Sequence, residues 1–208
     1  MENLILIGGG GHCKACIDVI ESTNKFNIIG ILDREELIGT EVLGYPVLGT
    51  DEEIDKYSEC AFLITVGQIK SSSIRAKIYK ILKDREYKLA TVISYYARVS
   101  KHAIIQEGSI IMHGAVVNAN ANIGENSIIN TLSLIEHDVF IGSHSHISTG
   151  AIINGNSRVE SHCFIGSQSV VSNQINIVEN VIVGAGSLVV SDINEFGIYV
   201  GNPVKKIN

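Results

Sequence analysis

From Ile93 to Val189 every sixth residue is Ile or Val, seventeen in succession without a slip. No other feature constrains the fold of this chain as strongly. The residue two places before each aliphatic is usually small, as at Ala115, Ser127, Ser145, Ala151, Ser157, Cys163 and Ser169, and Gly follows the aliphatic at 124, 142, 166 and 184. One aliphatic and one small residue per hexad describe a parallel β-helix of hexapeptide repeats. Each hexad makes one flat side. Three sides close a triangular coil of 18 residues, and stacked coils bury a column of Ile and Val. The stretch from 93 to 189 makes about five and a half such coils. Strands of an ordinary β-sandwich recur at irregular spacings of roughly 8–12 residues, so a sandwich is disfavoured. Periodicity leaves the hand of the coil open.

Composition agrees with many short strands. The chain of 208 residues holds 34 Ile and 19 Val against 12 Leu, with 20 Gly and no Trp. β-Branched side chains pack well on pleated strands and are mediocre helix formers. A helical bundle or a disordered chain would be built from other residues. No apolar run reaches the roughly 20 residues of a membrane span. The start, Met1-Glu2-Asn3, lacks the basic opening of an export signal. With four Cys and no such signal, the expected setting is cytoplasmic, with reduced thiols.

Charge divides the chain. Thirteen of its sixteen basic residues precede Ala103, and between Ala103 and Ile193 the only one is Arg158. Two domains are therefore expected, at residues 1–90 and 91–208. The first reads as α/β and Rossmann-like: strands near 4–7, 28–32 and 61–66, helices near 13–21 and 72–84, and a parallel sheet with ligands at the carboxyl ends of its strands. A net charge of -6 argues against nucleic acid as a partner.

Two regions carry candidate chemistry. Gly8 to Gly11 follow a strand and precede a helix, where backbone amides can cradle a phosphate, and Asp33 ends the second strand, where a ribose-binding acid would sit. The third glycine of a dinucleotide fingerprint is replaced by Cys13, which disfavours a nicotinamide cofactor while leaving a nucleotide plausible. Cys13 and Cys16 form a C-x-x-C, read as two residues on the apolar face of a helix. In the repeat, His137 stands between Glu136 and Asp138 beside a corner, suited to be a general base whose tautomer a carboxylate fixes. By strand alternation both carboxylates point away from His137, so contact requires a bend at the corner. His146 lies nine residues further on, half a coil away, on the opposite side of the prism. The two histidines can meet only between adjacent subunits, and a cyclic trimer is the natural packing of triangular prisms. No carboxylate or Cys shows zinc-ligand spacing with these histidines, so no metal is expected.

Gly-Gly-Gly-Gly-His after the first strand, Ile-Glu-His-Asp in the repeat and the ending Gly201-Asn202-Pro203-Val204-Lys205-Lys206-Ile207 together resemble a family. It is that of the bacterial sugar acetyltransferases, which includes UDP-4-amino-sugar N-acetyltransferases of the bacillosamine type and sialic acid O-acetyltransferases. The resemblance covers nearly the whole chain. It implies a left-handed β-helix, acetyl-CoA as co-substrate and a homotrimer with sites between subunits. It makes His137 the catalytic base, Asp138 its carboxylate neighbour (usually Glu in the family) and Asn130 a supporting polar residue. His146 would contact the acetyl thioester from across the trimer interface, and Gly155, Ser167 and Ala185 would line the acetyl-CoA channel. Gly8, Gly11, His12, Asp33 and Gly67 would form the nucleotide-sugar pocket. Because the repeat is so poor in cations, Lys205 and Lys206 are the candidates for the CoA phosphates. The expected reaction is N-acetylation of the 4-amino group of a UDP-linked 4-amino-4,6-dideoxy sugar. The alternative is O-acetylation of sialic acid or a related nonulosonate.

Overall fold

A computed structural model describes residues 1–207. The chain opens with strand β1 (Glu2–Ile7), helix α1 (Gly11–Thr23) and strand β2 (Phe26–Leu32). There follow a short hairpin of β3 (Glu41–Val42) and β4 (Tyr45–Gly49), then β5 (Ala61–Ile64) and helix α2 (Ser73–Asp84). The sheet order is β3-β4-β2-β1-β5, parallel throughout except for the hairpin pair. β1 and β5 carry unbroken buried apolar runs, as strands covered on both faces must. The hairpin is absent from the sequence reading because Tyr45-Pro46-Val47-Leu48-Gly49 carries a Pro, which demotes a run to an edge strand. β4 is instead the second strand of the sheet, covered on its outer side by the two-residue β3, and Pro46 pairs with Glu41 at that outermost ladder.

From Val92 onward the chain winds into a left-handed parallel β-helix with three faces. Residues 92–93, 110–111, 128–129, 146–147 and 164–165 begin the first face, 98–99 to 188–189 form the second, and 104–105 to 176–177 form the third. Register is 18 residues at every step, as in Val99 with Val117, Val117 with Ile135 and Ile135 with Ile153. All seventeen repeat aliphatics point inward. Those from Ile111 to Val189 are fully buried, and Ile93, Val99 and Ile105 close the first coil.

The small residues of the repeat have two uses. Ala115, Ala121 and Ala151 fill the tight space beside a corner. The buried serines also form a ladder, since Ser109, Ser127, Ser145, Ser157 and Ser169 each donate to a carbonyl fifteen residues on, at 2.7–3.1 Å. A buried hydroxyl is tolerated when it is paired in this way. The glycines after the aliphatics are forced by close approach of the next coil. A Cβ on Gly124 would stand 2.6 Å from the Ser143 nitrogen, and one on Gly166 would stand 2.5 Å from the Ala185 nitrogen.

A second six-residue rhythm sets the corners. Every sixth residue from Gly108 to Gly186 has a positive φ, including Asn120 (62°), Asp138 (62°), His144 (59°) and Asn156 (59°). Gly, Asn and Asp adopt this left-handed region most readily, and they fill nine of the fourteen places: 108, 114, 120, 126, 138, 150, 156, 180 and 186.

The α/β unit packs on the first face of the prism. Its α1 side shares a core with Val92, Ile110, Met112 and Ile128. The 99%-buried Arg75 on α2 fastens the same junction. Nη1 donates to the carbonyls of Ile64 and Val66, both at 2.7 Å, and Nη2 donates to the Asn126 carbonyl at 3.1 Å and Oδ1 at 2.6 Å. The described residues contain no helix long and apolar enough to cross a membrane.

Candidate active site

His137 follows the second face and is exposed at the corner between the second and third faces. The left-handed backbone at Asp138 supplies the bend that strand alternation lacks. It turns the carboxylate so that Oδ2 lies 2.8 Å from His137 Nδ1. Asp138 Oδ1 accepts from Asn120 Nδ2 at 2.6 Å, one coil below. These two hydrogen bonds, the Asn120 one foremost, hold the Asp138 carboxyl below the usual carboxylate range. Glu136 instead accepts from Asn118 Nδ2 at 2.9 Å and from the His137 backbone N–H. Asp138 rather than Glu136 therefore orients the ring. With Nδ1–H donated to Asp138, the lone pair of Nε2 is left facing outward.

The ring has room because its neighbours along the corner are small. Ala119 and Gly155 occupy the equivalent places one coil below and one coil above. A Cβ on Gly155 would lie 2.8 Å from His137 Cε1 and Nε2. Gly155→Ala should displace the imidazole while leaving the corner backbone intact, since Gly155 has no positive φ. Misplacing a catalytic group by about 1 Å can cost roughly 100-fold. The expectation is a turnover loss of that order with an unchanged melting temperature; unaltered turnover would deny the ring position its importance.

The remaining candidates gather elsewhere. Asn130, Ser167 and Ala185 lie on the corner between the first and second faces, with Ser167 Oγ 2.9 Å from Ser148 Oγ. His146 lies on the first face, across the prism from the His137 corner, as half a coil requires. It is only 6% exposed. Its Nδ1 donates to the Gln68 carbonyl at 2.7 Å, and its Nε2 accepts from Asn130 Nδ2 at 3.0 Å. That pairing fixes a neutral tautomer with no spare N–H for an oxyanion, and it places Asn130 beside His146 rather than His137. Lys205 is exposed on the last strand, antiparallel to Gly197–Gly201, while Lys206 pairs with Glu195 at 2.8 Å.

The five residues assigned to the nucleotide-sugar pocket do come together. Gly8, Gly11, His12, Asp33 and Gly67 line one cleft of about 500 Å³ at the carboxyl ends of β1, β2 and β5, with Gln68 and Ile69. Gly8 has φ +102°, and a Cβ there would meet the Val66 nitrogen at 2.9 Å. Asp33 Oδ2 accepts from the Gly9 N–H and Oδ1 from the Arg34 N–H at 2.7 Å, so this acid also holds the glycine turn in place. His12 Nε2 and Gln68 Oε1 are buried without a hydrogen-bond partner. Such orphaned atoms beside a cleft are what a polar ligand satisfies. Gln68 and Arg75 were not legible as site residues, because each acts through contacts between residues far apart in sequence.

Burial, followed by the Arg75 charge, lowers the pKa of His12 to about 3. Burial likewise lowers His144 and His146 to about 4. These histidines are neutral in the folded chain and free to protonate when it unfolds. Stability is therefore fully present above the unfolded value near 6.5 and is lost as pH falls from there towards 4, at up to about 1.4 kcal/mol per pH unit for each of the deeply buried His12 and His146, with a smaller, solvent-screened share from His144. Thermal melts at stepped pH should show a steep decline below 6.5; a melting temperature constant from pH 7 to 4.5 would contradict the burial of these rings. Cys13 and Cys16 lie on the buried side of α1, and burial pushes the Cys13 thiol up to about 11 and Cys16 upward as well. Neither is poised for redox chemistry. Among the described residues no group of three or more His, Cys, Asp or Glu is arranged to hold a metal ion.

A left-handed hexapeptide prism with a carboxylate-bound corner histidine, joined to a nucleotide-type α/β cleft, defines an acyl-transferring class of enzyme. Comparison with known proteins narrows it. The PglD N-terminal domain matches residues 3–82. UDP-N-acetylbacillosamine N-acetyltransferase of Bacillus subtilis (strain 168) is 33% identical over 115 residues, 54% of this chain and 52% of that protein. The match thus spans about half the length of that curated relative. The acetyltransferase domain of PglB from Neisseria gonorrhoeae FA1090 in complex with acetyl coenzyme A is 30% identical, with 99% of each chain covered and a TM-score of 0.92. PerB from Caulobacter crescentus in complex with CoA and GDP-perosamine is 26% identical, covering 100% of this chain and 98% of that one, with a TM-score of 0.81. The chain belongs to the family of bacterial sugar acetyltransferases.

Proposed function

We propose that this protein transfers the acetyl group of acetyl-CoA to the amino group of a nucleotide-linked sugar, the preferred acceptor being a UDP-linked 4-amino-4,6-dideoxy sugar. The observation that carries the reading is the His137–Asp138 pair, with Nε2 open at a corner kept clear by Ala119 and Gly155. An amine that attacks a thioester must shed a proton, and His137 Nε2 takes it while Asp138 holds Nδ1–H. The tetrahedral oxyanion is met by backbone N–H groups, since His146 has no free donor. CoA leaves as the thiolate. Residues 1–90 hold the nucleotide through the His12, Asp33 and Gly67 cleft, and residues 91–208 carry the acyl chemistry.

The reading includes a homotrimer. Val116, Leu134, Ile152, Val170 and Leu188 point outward from the second face and are only half-buried in the protomer. An apolar stripe of this kind suits burial against a second copy. It runs between the His137 corner and the corner of Asn130, Ser167 and Ala185. Packing prisms on that face sets His137 of one subunit against the acetyl-CoA residues of the next, with Lys205 available to the CoA phosphates and the protein working in the cytoplasm.

A thermal-shift screen tests the substrate class. UDP-amino sugars, CMP-linked and free sialic acids are compared with acetyl-CoA present. A ligand at about 100 times its Kd adds about 2.7 kcal/mol, a rise of roughly 5–10 °C for a chain of this size. Stabilisation by the UDP-amino sugars supports the proposal. Stabilisation by sialic acids alone would replace it with O-acetylation of a nonulosonate.

A further inference from the structure

The column of corner places that holds His137 ends in Lys101, a cation that the catalytic reading leaves unused. At 18-residue intervals the column reads Lys101, Ala119, His137, Gly155 and Asn173, in register through the second face. Below His137 lies a cleft of about 490 Å³ lined by Arg98, Ser100, Lys101, His102, Asn118 and Ala119. Arg98, Lys101 and His102 are all exposed in the protomer, Arg98 at the foot of the second-face stripe one coil below Val116. Among the described residues neither Arg98 nor Lys101 has a carboxylate partner within salt-bridge distance, although most other cations of the chain do. In a domain with a single basic residue from Ala103 to Ile193, three basic side chains converge beneath the catalytic corner. Ala119, which lines this cleft, occupies the corner place one coil beneath His137.

We propose that Arg98, Lys101 and His102 form a phosphate subsite that engages the diphosphate of the nucleotide-linked sugar while His137 faces its amino group. The inference rests on the acetyl-transfer reading above. Two coils separate Lys101 from His137, about 10 Å at roughly 4.8 Å per strand spacing, and the flexible Lys and Arg stems shorten that gap. The diphosphate of a nucleotide-linked 4-amino sugar lies across one pyranose ring from the amine, which fits this reach. CoA carries phosphates too, but its pantetheine arm sets them many more bonds from the thioester. Its channel residues Ser167 and Ala185 also lie in later coils, on the far side of His137 along the prism. Charge-assisted contacts to phosphate are the strong kind, and the subsite would lend the sugar-nucleotide a hold on a second subunit besides its cleft.

The test uses the 208-residue protein, the double variant Arg98→Ala/Lys101→Ala and the control Arg158→Gln, which removes a cation from the third face. Titration calorimetry with UDP alone, and separately with CoA, reads binding without turnover. Losing two charged contacts should weaken UDP at least about tenfold, steepest at low salt, with CoA binding and melting temperature unchanged and the control like wild type. Unchanged UDP affinity overturns the subsite, and weakened CoA with unchanged UDP overturns its assignment to the sugar-nucleotide. Absent acetyl transfer in wild type, alongside weakened UDP in the variant, would sink the catalytic reading and keep the subsite.

Discussion

His137→Ala is expected to lower kcat for acetyl transfer by about 100- to 10,000-fold, the usual contribution of a positioned general base. The side chain is exposed, and its ring packs into no core, so the variant should fold and melt as wild type does. Acetyl-CoA binding should persist, because the imidazole handles a proton rather than anchoring the cofactor. The loss should therefore appear in kcat with little change in the KM for acetyl-CoA. Asp138→Ala should give a smaller defect of the same kind: Nδ1 loses its acceptor, and the ring its fixed tautomer. Steady-state kinetics on both variants, with melting curves as control, check the assignment. Full turnover by His137→Ala would place the base elsewhere.

The second large effect concerns stability. Arg75 is a buried cation whose bonds all run to neutral acceptors: Ile64, Val66 and the backbone and side chain of Asn126. Arg75→Met keeps much of the volume but strands four acceptors, each costing about 1–3 kcal/mol when buried unpaired. Relief of the buried charge offsets part of this. A net loss of about 3 kcal/mol is expected, which for a chain of this size lowers the melting temperature by roughly 6–12 °C. A second readout separates charge from packing. Arg75 contributes to the lowered pKa of His12, His144 and His146. Without it their folded values rise towards 6.5, and the acid loss of stability becomes shallower. Because Val66 also lines the nucleotide cleft, affinity for UDP should fall as well. A melting temperature within a degree of wild type would show that the junction does not depend on this residue.

The prism was legible because its constraint is one-dimensional: each coil presents the same place to the core, so a single side-chain class recurs at fixed spacing. The α/β unit was legible at β1, β2, β5 and both helices, where buried runs and amphipathic faces are long. Its β3–β4 hairpin was not, since β3 has two residues and β4 is short and carries Pro46, so neither has such a run. At the site, His137 and the Gly8–Gly67 cleft could be named from spacing and resemblance. Asp138 could be named as the neighbour of His137, but the choice of Asp138 over Glu136 could not, because the contact depends on a left-handed backbone at one corner. That signal is present as Gly, Asn and Asp recurring at every sixth residue, but it is diluted by Leu132, His144, His162 and Gln168 at equivalent places. Arg75 and Gln68 escaped for a different reason: their partners, Asn126, His146 and Cys163, are more than fifty residues away, and no local pattern encodes such a contact.

Acetyl transfer to a sugar amine at the His137 corner is the reaction proposed for this protein. Its most direct test is to incubate the protein with acetyl-CoA and a UDP-linked 4-amino-4,6-dideoxy sugar, follow release of the CoA thiol, and locate the new acetyl group by NMR. Stoichiometric thiol release and an amide at N4 are expected, both slowed by about 100-fold or more in His137→Ala. An acetyl ester on a hydroxyl, or an amide formed equally well by His137→Ala, would contradict it.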